Sequence, residues 1–288
     1  MPSILLPAAM VIASGSIHAV VNAIIKGRRD VEAEHGPVLG SLMAARATTD
    51  GASAILLLPV LPFVPLPTGA WGWLAGSAAV HLVYLYAMMR AYASSDFSAI
   101  YPAMRGTAPL LTALVAVGLL GEAVAPGALI GIALIGVALL ALVIGRHLGI
   151  RALGWALTTG TAIAAYTVLD AQGVRAAPSV WSYIVWDFVL IGGLSLVMFS
   201  VLTRGAAIRA VRTQWRPGAT AGALSVVTYG LALWAFSMGP TAPLAALRET
   251  GMVTALLLSV VFLGERVTLR RGLAVFGILS GAGLILLA

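Results

Sequence analysis

Residues 99–122 read AIYPAMRGTAPLLTALVAVGLLGE, and residues 242–265 read APLAALRETGMVTALLLSVVFLGE. At a constant offset of 143 residues the two stretches are identical at 9 of 24 positions. The matches include Arg105 with Arg248, Thr107 with Thr250, and the Leu-Gly-Glu that closes each stretch. The offset is about half of the 288-residue chain, which points to a duplicated unit. Each copy carries an apolar run of about 20 residues, the length that crosses a hydrocarbon core as a helix.

The rest of the chain is made of the same material. It is 60% hydrophobic and 9% charged, with a mean hydropathy of +1.02. A soluble domain is about one quarter charged, because charge keeps its surface in water. This composition cannot build such a surface, so lipid must be the solvent for most of the chain. Ten apolar segments predict spanning helices: 3–26, 37–61, 71–91, 98–120, 124–145, 152–173, 179–203, 217–238, 242–263 and 267–287. Short links rich in proline and glycine separate them, among them LPFVPLPTG, GEAVAPG, GVRAAPS and MGPTAP. The longest polar link runs from Arg204 to Arg216. The two halves, 1–148 and 149–288, hold five segments each. An odd number of spans per unit reverses the orientation of the second copy. The expected fold is an all-α polytopic membrane protein, with ten transmembrane helices as two inverted five-helix repeats around a central cavity. Secondary transporters are built in this way, with the solute site near midplane between the halves.

Charge sets the orientation. The formal net charge is +7, yet the basic residues do not form a nucleic-acid surface. The links after segments 1, 3, 5, 7 and 9, with their flanks, hold 13 of the 17 lysines and arginines. Arg175 is the one basic residue in the other links, and Arg46, Arg105 and Arg248 lie within segments. The positive-inside rule turns the odd-numbered links to the cytoplasm and both termini outside. The expected location is a bacterial inner (plasma) membrane. Cysteine is absent, which excludes disulfides, thiolate metal sites and a cysteine nucleophile. The N-terminal MPSILLPAAM has no basic region before its apolar residues and is read as the start of the first span.

The two five-segment units, each with a Leu-Gly-Glu turn after its fourth span and a Gly/Ala/Leu-rich fifth, resemble the EamA branch of the drug/metabolite transporter superfamily. The likeness is strongest at RGTAPLLTALVAVGLLGEAVAPGALIGIALIGVALLAL and RETGMVTALLLSVVFLGERVTLRRGLAVFGILSGAGLIL, and looser in spans 2 and 7. Among neighbours of this size it is similar to the YddG-type exporters of aromatic and other neutral amino acids. The resemblance implies a basket of helices in which spans 5 and 10 are peripheral and the other eight surround a cavity.

Ionisable groups at membrane depth cost roughly 2.5–3.5 kcal/mol on insertion scales and face a cavity or a partner. In span 1, His18, Asn22 and Lys26 follow at one-turn intervals along one face. His18 and Asn22 are read as substrate contacts, with helix–helix hydrogen bonding as the alternative. Lys26, at the basic end, is read as an interfacial anchor. Span 3 puts His81, Tyr84 and Met88 on one face, and span 4 puts Tyr101 one turn before Arg105. The guanidinium fork of Arg105 or Arg248 suits a carboxylate. The alternative for both is a buried ion pair with Asp187, Asp170 or Glu249. Pro102 and Pro109 flank Arg105, where a kink is expected. Tyr183, Trp186 and Asp187 cluster in span 7, with Asp187 as a group for an ammonium or a proton. Arg46 and Asp50, one turn apart, predict an intrahelical ion pair. Glu122 and Glu265 are expected to cap the helices that follow them.

The predicted function is secondary transport of a small metabolite, with export or exchange of aromatic or other neutral amino acids by alternating access as the first reading. Quaternary ammonium or nucleobase-like solutes and lipid-linked sugars are the alternatives. An intramembrane enzyme is disfavoured, because G-x-S-x-G and H-E-x-x-H motifs are absent and the four histidines (18, 35, 81, 147) have no metal-ligand spacing. No cofactor or metal is expected. The partners are the solute, the lipid bilayer and, as coupling ion, a proton on His18, His81, Asp187 or Glu249. The chain is expected to act as a monomer without nucleic acid.

Overall fold

Proline, glycine and hydroxyl residues decide where the apolar runs begin and end. The computed structural model describes residues 4–32, 38–146, 148–263 and 268–288, with side chains except at 20–32, 38, 262 and 263. The side chains of Asn22 and Lys26, and Glu265, His35 and His147, thus lie outside the described residues. Helices α1 (Leu5–Glu32) and α2 (Val38–Leu57) come first. A 3₁₀ turn over Leu58–Phe63 ends α2, where Pro59 and Pro62 remove the amide donors that a further helical turn would need. Next are α3 (Trp71–Ser94), α4 (Phe97–Gly118) and α5 (Pro126–Ala141). α4 continues through both Pro102 and Pro109, and Pro126 starts α5, where its missing N–H costs nothing.

The second half opens with α6 (Ile150–Ala176) and α7 (Val180–Leu202). Ser179 caps α7 by accepting from the Ser182 amide at 3.0 Å. Then come α8 (Ala206–Thr213), α9 (Trp215–Met238), α10 (Thr241–Arg248), α11 (Gly251–Leu263) and α12 (Leu269–Leu287). Two of these differ from expectation. The polar link 204–216 holds a helix, α8, begun by Gly205 at φ 82°, a backbone conformation that glycine adopts without strain. The ninth segment is not one helix: it divides at Glu249 and Thr250 into α10 and α11.

Among the described residues seven helices are long and apolar enough to cross a membrane: α3, α4, α6, α7, α9, the α10–α11 pair over Thr241–Val261, and α12. Leu5–Ala19 of α1 and Pro126–Ala141 of α5 are shorter apolar stretches. α2 has the length but dilutes its hydropathy with Arg46, Thr48, Thr49, Asp50 and Ser53. The molecule is therefore a helical multi-pass membrane protein.

Helix pairs run side by side: α3 with α6, α1 with α9, α2 with α7, and α5 with α12. α4 also packs on α6, and α10 and α11 pack on α1. Glycine sets the closest approach. A Cβ placed on Gly281 of α12 would stand 2.6 Å from the Gly131 carbonyl oxygen of α5, so only glycine lets these backbones touch. The outer faces of the same helices present Ile130, Val137, Leu273, Phe276 and Leu279, suited to lipid.

At one end of the bundle polar contacts tie the helices together. Arg175, in the last turn of α6, donates to the carbonyls of Phe236 (2.9 Å) and Gly239 (2.7 Å) and to the Thr241 hydroxyl (3.0 Å). Ser182 of α7 donates to the Pro65 carbonyl at 2.6 Å. Trp71 packs edge-on against Trp186, and Trp181 against Trp234, both at 5.1 Å between centroids. Glu122 departs from expectation. Its Oε1 accepts from the Ala242 amide at 3.1 Å, so it caps α10 across the bundle and not α5, the helix that follows it. The four free amides of any helix start attract a carboxylate, and the packing of α10 on α4 and α5 brings that start within reach.

Candidate functional site

Between these helices lies a cavity of about 140 Å³, joined through shared walls to a second of about 130 Å³. Both are lined by His18, Arg46, Met88, Tyr92, Ser225 and Thr228, so they form one chamber. Its walls come from α1, α2, α3, α4, α6, α7, α9 and α10, and no described residue of α5 or α12 contributes. His81, Tyr84 and Met88, expected on one face of α3, line the chamber, and Tyr92 one turn further joins them. Tyr86 turns away to Trp155, with Arg90 above both rings.

Charged residues in the walls fall into two groups. The first is paired. Arg46 grips Asp50 through two contacts, Nε to Oδ2 at 3.0 Å and Nη2 to Oδ1 at 2.8 Å. Ser195 of α7 donates to the same Oδ2 at 2.7 Å. This pair was anticipated as structural, and it also lines the chamber. Arg105 of α4 meets Glu249, at the α10–α11 break, at 2.7 Å. Glu249 is 4% exposed and absent from the chamber wall, so its role there is to balance Arg105.

The second group has no charged partner among the described residues. Arg248 donates from Nε to Ser14 Oγ at 3.2 Å, and Ser14 in turn donates to the Thr228 carbonyl at 2.5 Å. Its guanidinium sits 5.2 Å from the Tyr229 ring centroid, a cation–π contact. Neither contact neutralises the charge. Asp187 of α7 lines the same chamber at 2% exposure, and its Oδ1 has no hydrogen-bond partner among the described residues. A buried carboxylate oxygen without a donor is rare, since its desolvation is uncompensated.

Aromatic rings complete the enclosure. His81 stacks on Tyr166 at 3.9 Å and meets Tyr84 and Tyr229 edge-on at 6.0 and 6.1 Å. Phe188 stands edge-on to Tyr229 at 6.3 Å. His81 Nδ1 lies 3.2 Å from both the hydroxyl and the carbonyl oxygen of Ser77.

The candidates named from sequence divide accordingly. His18, His81, Tyr84, Tyr101, Arg105, Asp187 and Arg248 come together on the wall. Tyr183 does not. It is fully buried, and its hydroxyl donates to Asp170 at 2.8 Å, while Tyr229 donates to the other oxygen of the same carboxylate. Asp170 is thus satisfied by two tyrosines, not by an arginine. Trp186 packs on Trp71 and is also off the wall. Sequence reasoning passed over Tyr166, Phe188 and Tyr229. The available signal was Tyr166 one turn before Asp170, and Tyr229 as a lone phenol inside the apolar run of α9.

Comparison with known proteins supports part of this picture. Residues 150–287 match the EamA-like transporter family. Twenty-eight chains of solved structures match. One crystal structure superposes with a TM-score of 0.69 over 97% of this chain and 94% of its own, at 17% sequence identity. That likeness concerns the fold. No curated protein matches the chain.

Proposed function

We propose that this chain is a secondary transporter that moves a small zwitterion, most simply an aromatic or other neutral amino acid, by alternating access of the chamber to the two sides of a bacterial inner membrane. The observation that carries the reading is a pair of ionisable groups of opposite kind on one chamber, Arg248 and Asp187, neither of them in an ion pair among the described residues. An arginine fork binds a carboxylate through parallel hydrogen bonds, and a carboxylate binds an ammonium. The resident pairs Arg46–Asp50 and Arg105–Glu249 are already balanced and do not compete for either end of the solute.

The proposed architecture is ten spans in two inverted five-span units, split at 148/149. The helix pairings support it. Exchanging the units turns the α3–α6 pair into the α9–α1 pair, and the α4–α6 pair into the pairing of α10–α11 with α1. The α2–α7 and α5–α12 pairs map onto themselves. The polar contacts of Arg175, Glu122 and Ser182 all lie at one end. The chamber lining reaches the other, through Leu42 near the start of α2, Tyr92 near the end of α3 and Ala221 near the start of α9. Such asymmetry belongs to a carrier closed on one side. The aromatic ring cluster favours a second reading, a quaternary ammonium solute held by cation–π contact.

The deciding experiment is counterflow in proteoliposomes with labelled phenylalanine, leucine, choline and a nucleobase, with and without a pH gradient. Exchange of an amino acid supports the first reading, and exchange of choline without any amino acid replaces it with the second. Independence from the gradient removes the proton as coupling ion.

A further inference from the structure

From Asp187 we infer that the chamber contains a subsite for a primary ammonium group, which selects solutes bearing –NH₃⁺ over their quaternary or des-amino analogues. The inference rests on the transporter reading and deepens it at one residue. Asp187 is 2% exposed, it lines the chamber, and its Oδ1 receives no hydrogen bond among the described residues. None of the arginines on the wall answers it: Arg46 is held by Asp50, Arg105 by Glu249, and Arg248 by Ser14 and the Tyr229 ring. The contrast with Asp170 is informative, because that carboxylate lies one helix away and has a tyrosine hydroxyl on each oxygen. Among the described residues the fold therefore supplies a donor to each oxygen of Asp170 and none to Oδ1 of Asp187.

A missing donor defines its ligand. Oδ1 needs a group that brings both positive charge and N–H. A primary ammonium brings three N–H donors, whereas a trimethylammonium brings charge alone and cannot satisfy the oxygen. Tyr229 and Phe188 share the chamber with Asp187 and offer aromatic surface to the carbon chain beside the ammonium.

Four probes with one phenyl ring separate the contributions: L-phenylalanine, phenethylamine, its N,N,N-trimethyl derivative and 3-phenylpropanoate. Binding is measured by calorimetry on the purified full-length protein, wild type and Asp187→Asn. The charged hydrogen bonds at stake predict a loss of about tenfold or more for phenylalanine and phenethylamine in Asp187→Asn, with 3-phenylpropanoate changed by less than about twofold. In the wild type, phenethylamine should bind about tenfold or more tighter than its trimethyl derivative, a comparison that stands even where the variant fails to fold. Unchanged phenethylamine affinity in a folded Asp187→Asn protein overturns the subsite, as does equal wild-type affinity for the primary and trimethyl amines. Asp187-dependent binding of phenethylamine without binding or exchange of phenylalanine keeps the subsite and removes the amino-acid reading. Phenylalanine exchange unaffected by Asp187→Asn does the reverse.

Discussion

Arg105 and Arg248 occupy one position of the repeated segment, but their neighbours give them different tasks. Gly106 follows the first and Glu249 the second, and that one carboxylate pairs across the bundle with Arg105, leaving Arg248 to the chamber. Sequence alone placed both arginines at membrane depth, but it could not choose the partner, because the choice depends on which helices touch. Removing one member of a buried pair strands a charge at a cost of about 3–5 kcal/mol, whereas replacing both is far milder. Arg105→Met and Glu249→Met should therefore each lower the melting temperature in detergent more than the double variant does. Additive losses would show that the pair is not coupled. Two tyrosines on Asp170 provide a second contrast. Tyr183→Phe removes a buried donor away from the chamber wall and should cost about 1–3 kcal/mol of stability with solute affinity unchanged. Tyr229→Phe removes the other donor from a residue that also lines the chamber, so it should alter stability and solute binding together.

At the scale of elements, the legible features were those carried by periodicity and length. Apolar runs of spanning length mark the long helices, and the one-turn spacing on α3 fixes which of its residues face inward. Two features were missed because their causes are not periodic. The helix α8 lies in a polar link, where it starts at a left-handed glycine. The α10–α11 division arises where α1 crosses: Gly15 and Gly251 meet backbone to backbone, and a Cβ on either would run into the other strand of main chain. An apolar sequence containing a glycine reads as a continuous helix until that crossing is known. The crossing also sets Arg248 and Glu249 at the break. Gly251→Ala should then destabilise the fold by about 1–3 kcal/mol, the usual cost of overpacking, and weaken solute binding through Arg248. Gly193→Ala, where a Cβ meets open space, should leave both unchanged. Thermal melting of the two variants checks this, and equal effects would remove the crossing as the cause of the break.

For the whole molecule, the repeat at about half the chain length and the placement of 13 of 17 basic residues in alternate links both favour the proposed inverted arrangement, from independent physics. Repetition argues from internal similarity, and charge argues from the cost of moving lysine and arginine across the bilayer. Both require the α6–α7 link and the start of α9 to lie on opposite faces of the membrane. The absence of cysteine makes this measurable without background labelling. Leu224 lines the chamber near the start of α9, and Pro178 is exposed between α6 and α7, beyond the end sealed by Arg175 and Ser182. With a membrane-impermeant thiol reagent, Pro178→Cys should react in intact cells and Leu224→Cys only in inverted vesicles. A solute that fills the chamber should slow the second reaction and leave the first untouched. Reaction of both cysteines from one face would dismantle the inverted arrangement. Reversed sidedness would keep the arrangement and turn the termini to the cytoplasm.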